Sequence, residues 1–138
     1  PPSGFHFFKA GLDRDGKMVA FRDYVASPAS VIPANEFPRG FVANFRVFSD
    51  PVTPFGIPTG ALRAPGTNGV SFVMQSFIDE VAVAARKDPL QYRLDLLASP
   101  VAGGPAPGPN SFNASRARGV LEAVRDMSNW NRRASLPK

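Results

Sequence analysis

The residues best suited to specific chemistry lie around Arg63, which stands among small residues, Pro and Gly in segment 60–66. A guanidinium is always charged and offers five N–H donors in a rigid fork, so it can bind phosphate, pterin or oxo groups. The segment precedes a predicted helix, whose free N–H groups favour anions. Thr67, Asn68 and Ser71 are candidate caps for that helix. Two interpretations remain open: a loop that binds an anionic cofactor, or an ordinary loop leading into a helix.

The other polar candidates do not assemble a catalytic site. His6 is the only histidine, which excludes paired imidazole ligands, and its place in a predicted strand favours a strand-surface or partner-contact role. Asp79 and Glu80 point about 100° apart on a predicted helix, so we expect them on its surface or in a salt bridge between helices. Asp13 and Asp15 are predicted turn residues, because no further loop carboxylate completes a calcium site. We therefore predict no catalytic residue and no metal ligand.

The composition limits the classes of protein and site to which the chain can belong. The chain has 138 residues, 43% of them hydrophobic, which suits one globular domain. It has no cysteine, which excludes disulfides, thiolate zinc sites and iron–sulfur ligation within it. The formal net charge is +5, but the basic residues are scattered, so we predict no nucleic-acid partner. No apolar run reaches the ~20 residues that a membrane span requires.

The predicted strands lie in the first third of the chain. Two aromatic and β-branched runs, residues 5–12 and 18–25, flank an Asp-Gly dipeptide typical of a β-hairpin turn. In the second run Asp23 interrupts one apolar face. That face consists of Val19, Phe21 and Val25. Residues 41–48 alternate in the manner of a third strand, with Phe41, Phe45 and Val47 on one side.

Three helices are predicted after a loop rich in Pro and Gly. The first covers residues 71–86 and is apolar nearly all round, which predicts burial deeper than a fragment of 138 residues provides. Its main stripe is Met74, Phe77, Ile78, Val81 and Ala85. The second begins with Asp88 as cap and Pro89 in first position, and Gln91 completes an arrangement like a capping box. Its core face is Leu90, Leu94 and Leu97.

The third predicted helix runs from Asn113, as cap, to about Ser128. Its apolar stripe is Ala117, Val120, Leu121, Val124 and Met127. We therefore expect an α+β fold: an N-terminal antiparallel hairpin, a third strand, a long ordered loop and about three helices. Residues 1–138 form a single partial domain. Its parts are strand-rich 1–50, the arginine loop 51–70, helical 71–98, a flexible excursion 99–110 and the C-terminal helix 111–130.

Short motifs follow one another along the chain in an order that resembles one protein family. The motifs are Phe7-Phe8-Lys9-Ala10-Gly11-Leu12-Asp13, Asp15-Gly16-Lys17, Ala20-Phe21-Arg22, Asn35-Glu36-Phe37-Pro38, Pro58-Thr59-Gly60-Ala61-Leu62-Arg63-Ala64-Pro65-Gly66, Gln75-Ser76-Phe77-Ile78-Asp79-Glu80, Asp88-Pro89-Leu90-Gln91-Tyr92-Arg93-Leu94-Asp95-Leu96-Leu97 and Ala117-Arg118-Gly119-Val120-Leu121. In this order they resemble the large, molybdenum-binding subunit of the xanthine oxidase superfamily. The similarity is to the isoquinoline 1-oxidoreductase beta-subunit and bacterial aldehyde dehydrogenase branch.

The resemblance implies a molybdenum–pterin cofactor, molybdopterin cytosine dinucleotide, in a parent enzyme with a molybdopterin-binding fold. Such an enzyme oxidises an aldehyde or an N-heteroaromatic carbon with water as the oxygen source. Its electrons pass to a small subunit that holds two [2Fe–2S] clusters. Arg63 matches the family's cofactor-facing arginine, and Leu62 and Ala64 are the implied cofactor-binding neighbours. Leu62 and Ala64-Pro65 replace the aromatic residue and glycine of the eukaryotic relatives, and the general-base glutamate lies outside this chain.

The resemblance covers an internal portion of such a subunit, and the chain opens without an initiator Met. We therefore expect a fragment that is inactive alone, binds no cofactor alone and exposes an apolar patch where the remainder of the large subunit packs. The implied setting is the periplasm or the cytoplasmic membrane surface of a bacterium. The alternative is a stand-alone small α+β binding or interaction domain, in which the Arg63 loop contacts a partner.

Overall fold

A computed structural model of the protein describes residues 4–27, 37–52, 56, 63, 67–101 and 112–135. Three strands, β1 (Phe5–Leu12), β2 (Met18–Ser27) and β3 (Asn44–Pro51), are followed by three helices. The helices are α1 (Thr67–Ala84), α2 (Pro89–Leu97) and α3 (Ala114–Met127), and a 3₁₀ helix follows at Trp130–Ser135. The predicted α+β fold is confirmed, because the strands form one mixed sheet in the order β1-β2-β3.

The hairpin forms where the sequence predicts it. β1 and β2 pair antiparallel, and Oδ1 of Asp13 accepts hydrogen bonds from the backbone N–H of Asp15 and Lys17 at 3.0 and 2.8 Å. Gly16 has a φ of 76°, a conformation that L side chains rarely adopt. Local turn chemistry therefore fixes this connection, and both aspartates are turn residues.

A change of register near the turn alters which residues of β2 are buried. Gly11 pairs with Ala20 but Leu12 pairs with Met18, so the ladder is irregular at this point. An extra residue in one strand reverses the alternation of its side chains. As a result Met18 is buried and Val19 is only half-buried, whereas the sequence predicts Val19 on the buried face.

β3 is displaced along the chain from its predicted position at 41–48. It pairs in parallel with β2, from Ala20 opposite Asn44 to Ser27 opposite Pro51. Phe41 and Val42 precede the strand and are buried in the core instead. The predicted alternation persists within the strand, since Phe45 stacks on Phe21 with ring centroids 4.9 Å apart.

α1 covers one face of the sheet and begins earlier than predicted. The ring of Phe77 stacks on Phe8 of β1, with centroids 4.7 Å apart. Val70 is buried one turn before Met74, so core packing extends the helix back to Thr67. The helix ends at Ala84 rather than residue 86, because Arg86 adopts a left-handed conformation with φ 56°. Lys87 N–H then bonds Ala82 C=O, which closes the helix C-terminus.

Burial on α1 is one-sided. Its inner side chains join residues of β2 and α2 in the core, which consists of Met18, Phe21, Phe37, Phe41, Val42, Val70, Met74, Ile78, Val81, Ala82, Tyr92, Leu96 and Leu97. Phe72 and Val83, on its outer side, are 73% and 71% exposed. Nothing among the described residues covers this outer face, so this part of the chain does not provide the burial that the apolar sequence of α1 predicts.

Asp88 caps α2 as predicted and also holds the C-terminal segment. Its Oδ1 accepts from the backbone N–H of Leu90 and Gln91. The indole N–H of Trp130 donates to its Oδ2 at 3.1 Å, and the Arg133 guanidinium donates to the same oxygen. The Gln91 side chain donates to Asp95 rather than back to the cap, so the capping box is not completed. Leu90, Leu94 and Leu97 are buried as predicted.

We expect Asp88→Ala to lower the free energy of unfolding by about 1–2 kcal/mol, the usual range for loss of an N-cap. Partial desolvation raises the pKa of Asp88, but hydrogen bonds from Gln91 and Trp130 and the charge of Arg133 hold it below its ordinary value of 3.8. The group therefore contributes full stability above pH 3.8 and loses it as the pH falls through the lower folded pKa. Urea unfolding of the wild type and Asp88→Ala at pH 7 and pH 3 measures this contribution of Asp88 to stability. The control Glu80→Ala, on the exposed surface of α1, should change the free energy of unfolding little. Equal losses of stability in the two variants would contradict the capping role of Asp88.

α3 begins after Asn113 and ends before Ser128, as predicted. Only part of its apolar stripe packs: Ala117 and Leu121 are half-buried against the core. Val120, Val124 and Met127 are 63%, 50% and 85% exposed. The chain therefore presents an apolar patch on α3. Among the described residues no helix has both the length and the apolar character needed to cross a membrane.

Candidate functional site

Arg63 is the one member of the predicted cofactor-binding set that the structure describes. The backbone bends at Arg63, the side chain is exposed, and α1 begins four residues later at Thr67. Leu62 and Ala64 lie outside the described residues, as do most of the arginine loop 51–70 and most of the excursion 99–110. No described carboxylate pairs with the Arg63 guanidinium.

The helix next to Arg63 begins at the first of its three candidate caps. Because α1 starts at Thr67, all three residues, Thr67, Asn68 and Ser71, lie within the helix, and Ser71 is exposed in it. None of them therefore fills the position that precedes the helix. No acidic residue lies in the first turn of α1, so no carboxylate of that turn competes with an anion for its N–H groups.

The structure brings together two residues that the sequence analysis treats separately, His6 of β1 and Asp23 of β2. Nδ1 of His6 lies 2.7 Å from Oδ2 of Asp23, and the two side chains are 11% and 0% exposed. His6 also stacks on Phe8, with ring centroids 5.4 Å apart. The predicted strand-surface role of His6 is therefore wrong, since its ring pairs with a buried carboxylate.

The pair is asymmetric in its hydrogen bonding. Oδ2 of Asp23 contacts His6, whereas Oδ1 is buried and has no hydrogen-bond partner among the described residues. Burial raises the pKa of Asp23, and the hydrogen bond and charge of His6 act against that rise. The imidazole is thus the main group that stabilises the Asp23 carboxylate. No local signal marks this pair, because the irregularity between Gly11 and Leu12 shifts the register of the hairpin. That shifted register places His6 diagonally across from Asp23.

The remaining acidic candidates have structural roles. Asp79 Oδ1 accepts from the Arg93 guanidinium at 2.6 Å, and Arg93 also donates to the backbone carbonyls of Gln75 and Pro89. This confirms the predicted salt bridge between helices and ties α2 to α1. Among the described residues, no group of three or more histidine, aspartate or glutamate side chains is placed to bind a metal ion.

No protein-family model matches the chain, and no curated protein matches it.

Proposed function

We propose that this chain is an internal segment of the molybdenum-binding subunit of an oxidoreductase similar to the xanthine oxidase superfamily. The observation that carries the proposal is the collinear series of motifs across the chain, with Pro58-Thr59-Gly60-Ala61-Leu62-Arg63-Ala64-Pro65-Gly66 at its centre. The substrate class is aldehydes or N-heteroaromatic compounds, and the electron-accepting partner is a small subunit with two [2Fe–2S] clusters.

The described residues fit an anionic pterin cofactor at Arg63. Its guanidinium is exposed, pairs with no described carboxylate and stands just before α1, whose first turn has no acidic residue. Arg63 and the backbone of Leu62 and Ala64 are the groups that would hold the cofactor. When bound, the molybdenum–pterin supplies the redox chemistry that oxidises a substrate carbon with oxygen from water. Arg63 holds a fixed positive charge beside the reacting groups, where preorganised donors stabilise developing negative charge.

The exposed apolar side chains support the proposal that more protein packs on this chain. Phe72 and Val83 project from the outer face of α1, and Val120 and Met127 project from α3. Large exposed apolar surfaces in a soluble protein mark contacts with other protein. The remainder of a large subunit would cover these surfaces. A stand-alone interaction domain would bind a separate protein there.

The test is molybdenum analysis of the intact natural protein that contains this segment, purified beside the 138-residue chain. We expect about one molybdenum per intact subunit. We also expect transfer of ¹⁸O from labelled water to the carboxylate formed from an aldehyde, or to the hydroxylated product of an N-heteroaromatic substrate. The chain alone should retain no molybdenum and show no turnover. An intact protein without molybdenum, or a complete short reading frame for this segment, would contradict the proposal in favour of a stand-alone domain.

A further inference from the structure

The face of the sheet opposite α1 carries a row of positive charge, which we call the basic row. Lys9 of β1 pairs with Arg22 of β2, and Arg22 pairs with Arg46 of β3, so the three residues stand side by side across the sheet. All three are exposed. None of them forms an ion pair within the part of the chain that the structure describes.

A second row, two residues along each strand on the same face, is aromatic. Phe7 pairs with Tyr24, and Tyr24 pairs with Phe48. Phe7 is 58% exposed and Tyr24 is 39% exposed, so the apolar surface of this aromatic row is accessible. The Arg46 guanidinium lies 4.1 Å from the ring centroid of Phe48, and the hydroxyl of Tyr24 donates to Asp50.

On the other side of the basic row the surface is recessed. Gly11, Ala20 and Asn44 lie two residues along the strands on the same face, and they line a shallow groove together with the basic row. A Cβ atom at Gly11 would lie only 3.2 Å from Cβ of Ala20, so this floor is closely packed. A partner can therefore approach the cations from the side of the small residues.

Like charges directly opposite one another on neighbouring strands destabilise a sheet, and the basic row places three of them in line. Carboxylates from a partner would remove that repulsion. Arginine, tyrosine and phenylalanine are also the residue types enriched at protein interfaces. We propose that this face of the sheet docks an acidic protein surface, with carboxylates on the basic row and apolar side chains on the aromatic row. This proposal does not depend on the molybdenum assignment.

The same contacts disfavour two other occupants. Nucleic-acid bases stack on free aromatic ring faces, yet Arg46 covers one face of Phe48. The Asp50 carboxylate beside Tyr24 would also repel phosphate. A second copy of the same face would double the excess of positive charge in the contact, which opposes self-association.

The test is a titration of the 138-residue chain with a labelled helical peptide that carries one glutamate stripe beside one leucine stripe. Lys9→Gln/Arg22→Gln should weaken binding about tenfold, since charge pairs at such contacts carry about 1 kcal/mol or more. The matched control Arg14→Gln/Arg116→Gln removes the same charge from exposed sites elsewhere and should change binding less than about twofold. Amide shifts in NMR spectra should map to β1, β2 and β3.

Folding of the variants is checked by thermal unfolding at low salt. Lys9→Gln/Arg22→Gln should unfold no lower than the wild type, because the substitutions relieve repulsion and leave the Arg46–Phe48 contact in place. Equal weakening in the matched control would overturn the proposal. So would tighter binding of a uridine 12-mer than of the peptide, or a wild-type dimer in sedimentation that the paired variant abolishes.

Discussion

His6→Ala should lower the free energy of unfolding by about 3 kcal/mol at pH 7, because it leaves a buried carboxylate without its partner. Asp23 is fully buried, and its Oδ2 has the His6 imidazole 2.7 Å away while Oδ1 has no described partner. A neutral side chain at position 23 carries no such penalty. The second variant, Asp23→Asn, should therefore be close to wild type in stability, and His6→Ala should have a much smaller effect in the Asp23→Asn background.

The pH dependence gives an independent check of this pair. Because burial raises the folded pKa of Asp23 above its ordinary value of 3.8, the folded state binds more protons than the unfolded state between the two values. The Asp23 contribution is therefore most favourable at low pH and is lost as the pH rises through the folded pKa. The difference between His6→Ala and wild type should shrink on acidification. Urea unfolding of the wild type and His6→Ala from pH 3 to 8 measures this difference in stability. Lys9→Ala, at an exposed position, is the control. Equal losses in the two variants would show that the pair is unimportant.

Arg63→Ala in the intact enzyme should reduce kcat/KM by about 10²-fold or more, if Arg63 stabilises charge that develops in the transition state. This expectation depends on the proposed function. Arg63→Lys should not restore full activity, because an ammonium keeps the charge but loses the planar fork. Folding should change little, since Arg63 is exposed and outside the helices and strands.

Three measurements separate a role at the cofactor from a structural one: molybdenum content, thermal unfolding temperature and turnover. Arg14→Ala, another exposed arginine in a turn, is the matched control and should behave as wild type in all three. Normal molybdenum content together with unchanged turnover in Arg63→Ala would leave Arg63 as an ordinary loop residue. Loss of molybdenum with a normal unfolding temperature would identify cofactor retention as its main contribution.

Features that depend on nearby residues were predictable from the sequence. The hairpin turn and the caps of α2 and α3 are each formed by side chains that bond backbone groups two to four residues away. The parallel pairing of β3 was not predictable, because alternation identifies a strand but not its partner or direction. The bulge that buries Met18 in place of Val19 likewise has no marker in the local pattern.

The candidate site was predictable only in part, for the same reason. The single charge at Arg63 and its place before a helix follow from the sequence, whereas the start of α1 depends on Val70 packing in the core. The His6–Asp23 pair requires the register between two strands. The basic row also requires that register, and in addition the pairing of β3, so scattered cations in the sequence become neighbours only in the folded sheet.

The parallel pairing of β3 also determines the order in which the sheet can assemble. β1 and β2 are joined by the short turn at 13–17, and such hairpins close within about 1–10 μs. β2 and β3 are joined by the longer connection of residues 28–43. Bringing the two strands together closes this loop, which costs chain entropy before the strand contacts form. We therefore expect the hairpin to form before β3 joins the sheet. Arg46 takes its place beside Arg22 only in that last step, so the basic row is complete only once the whole sheet has folded.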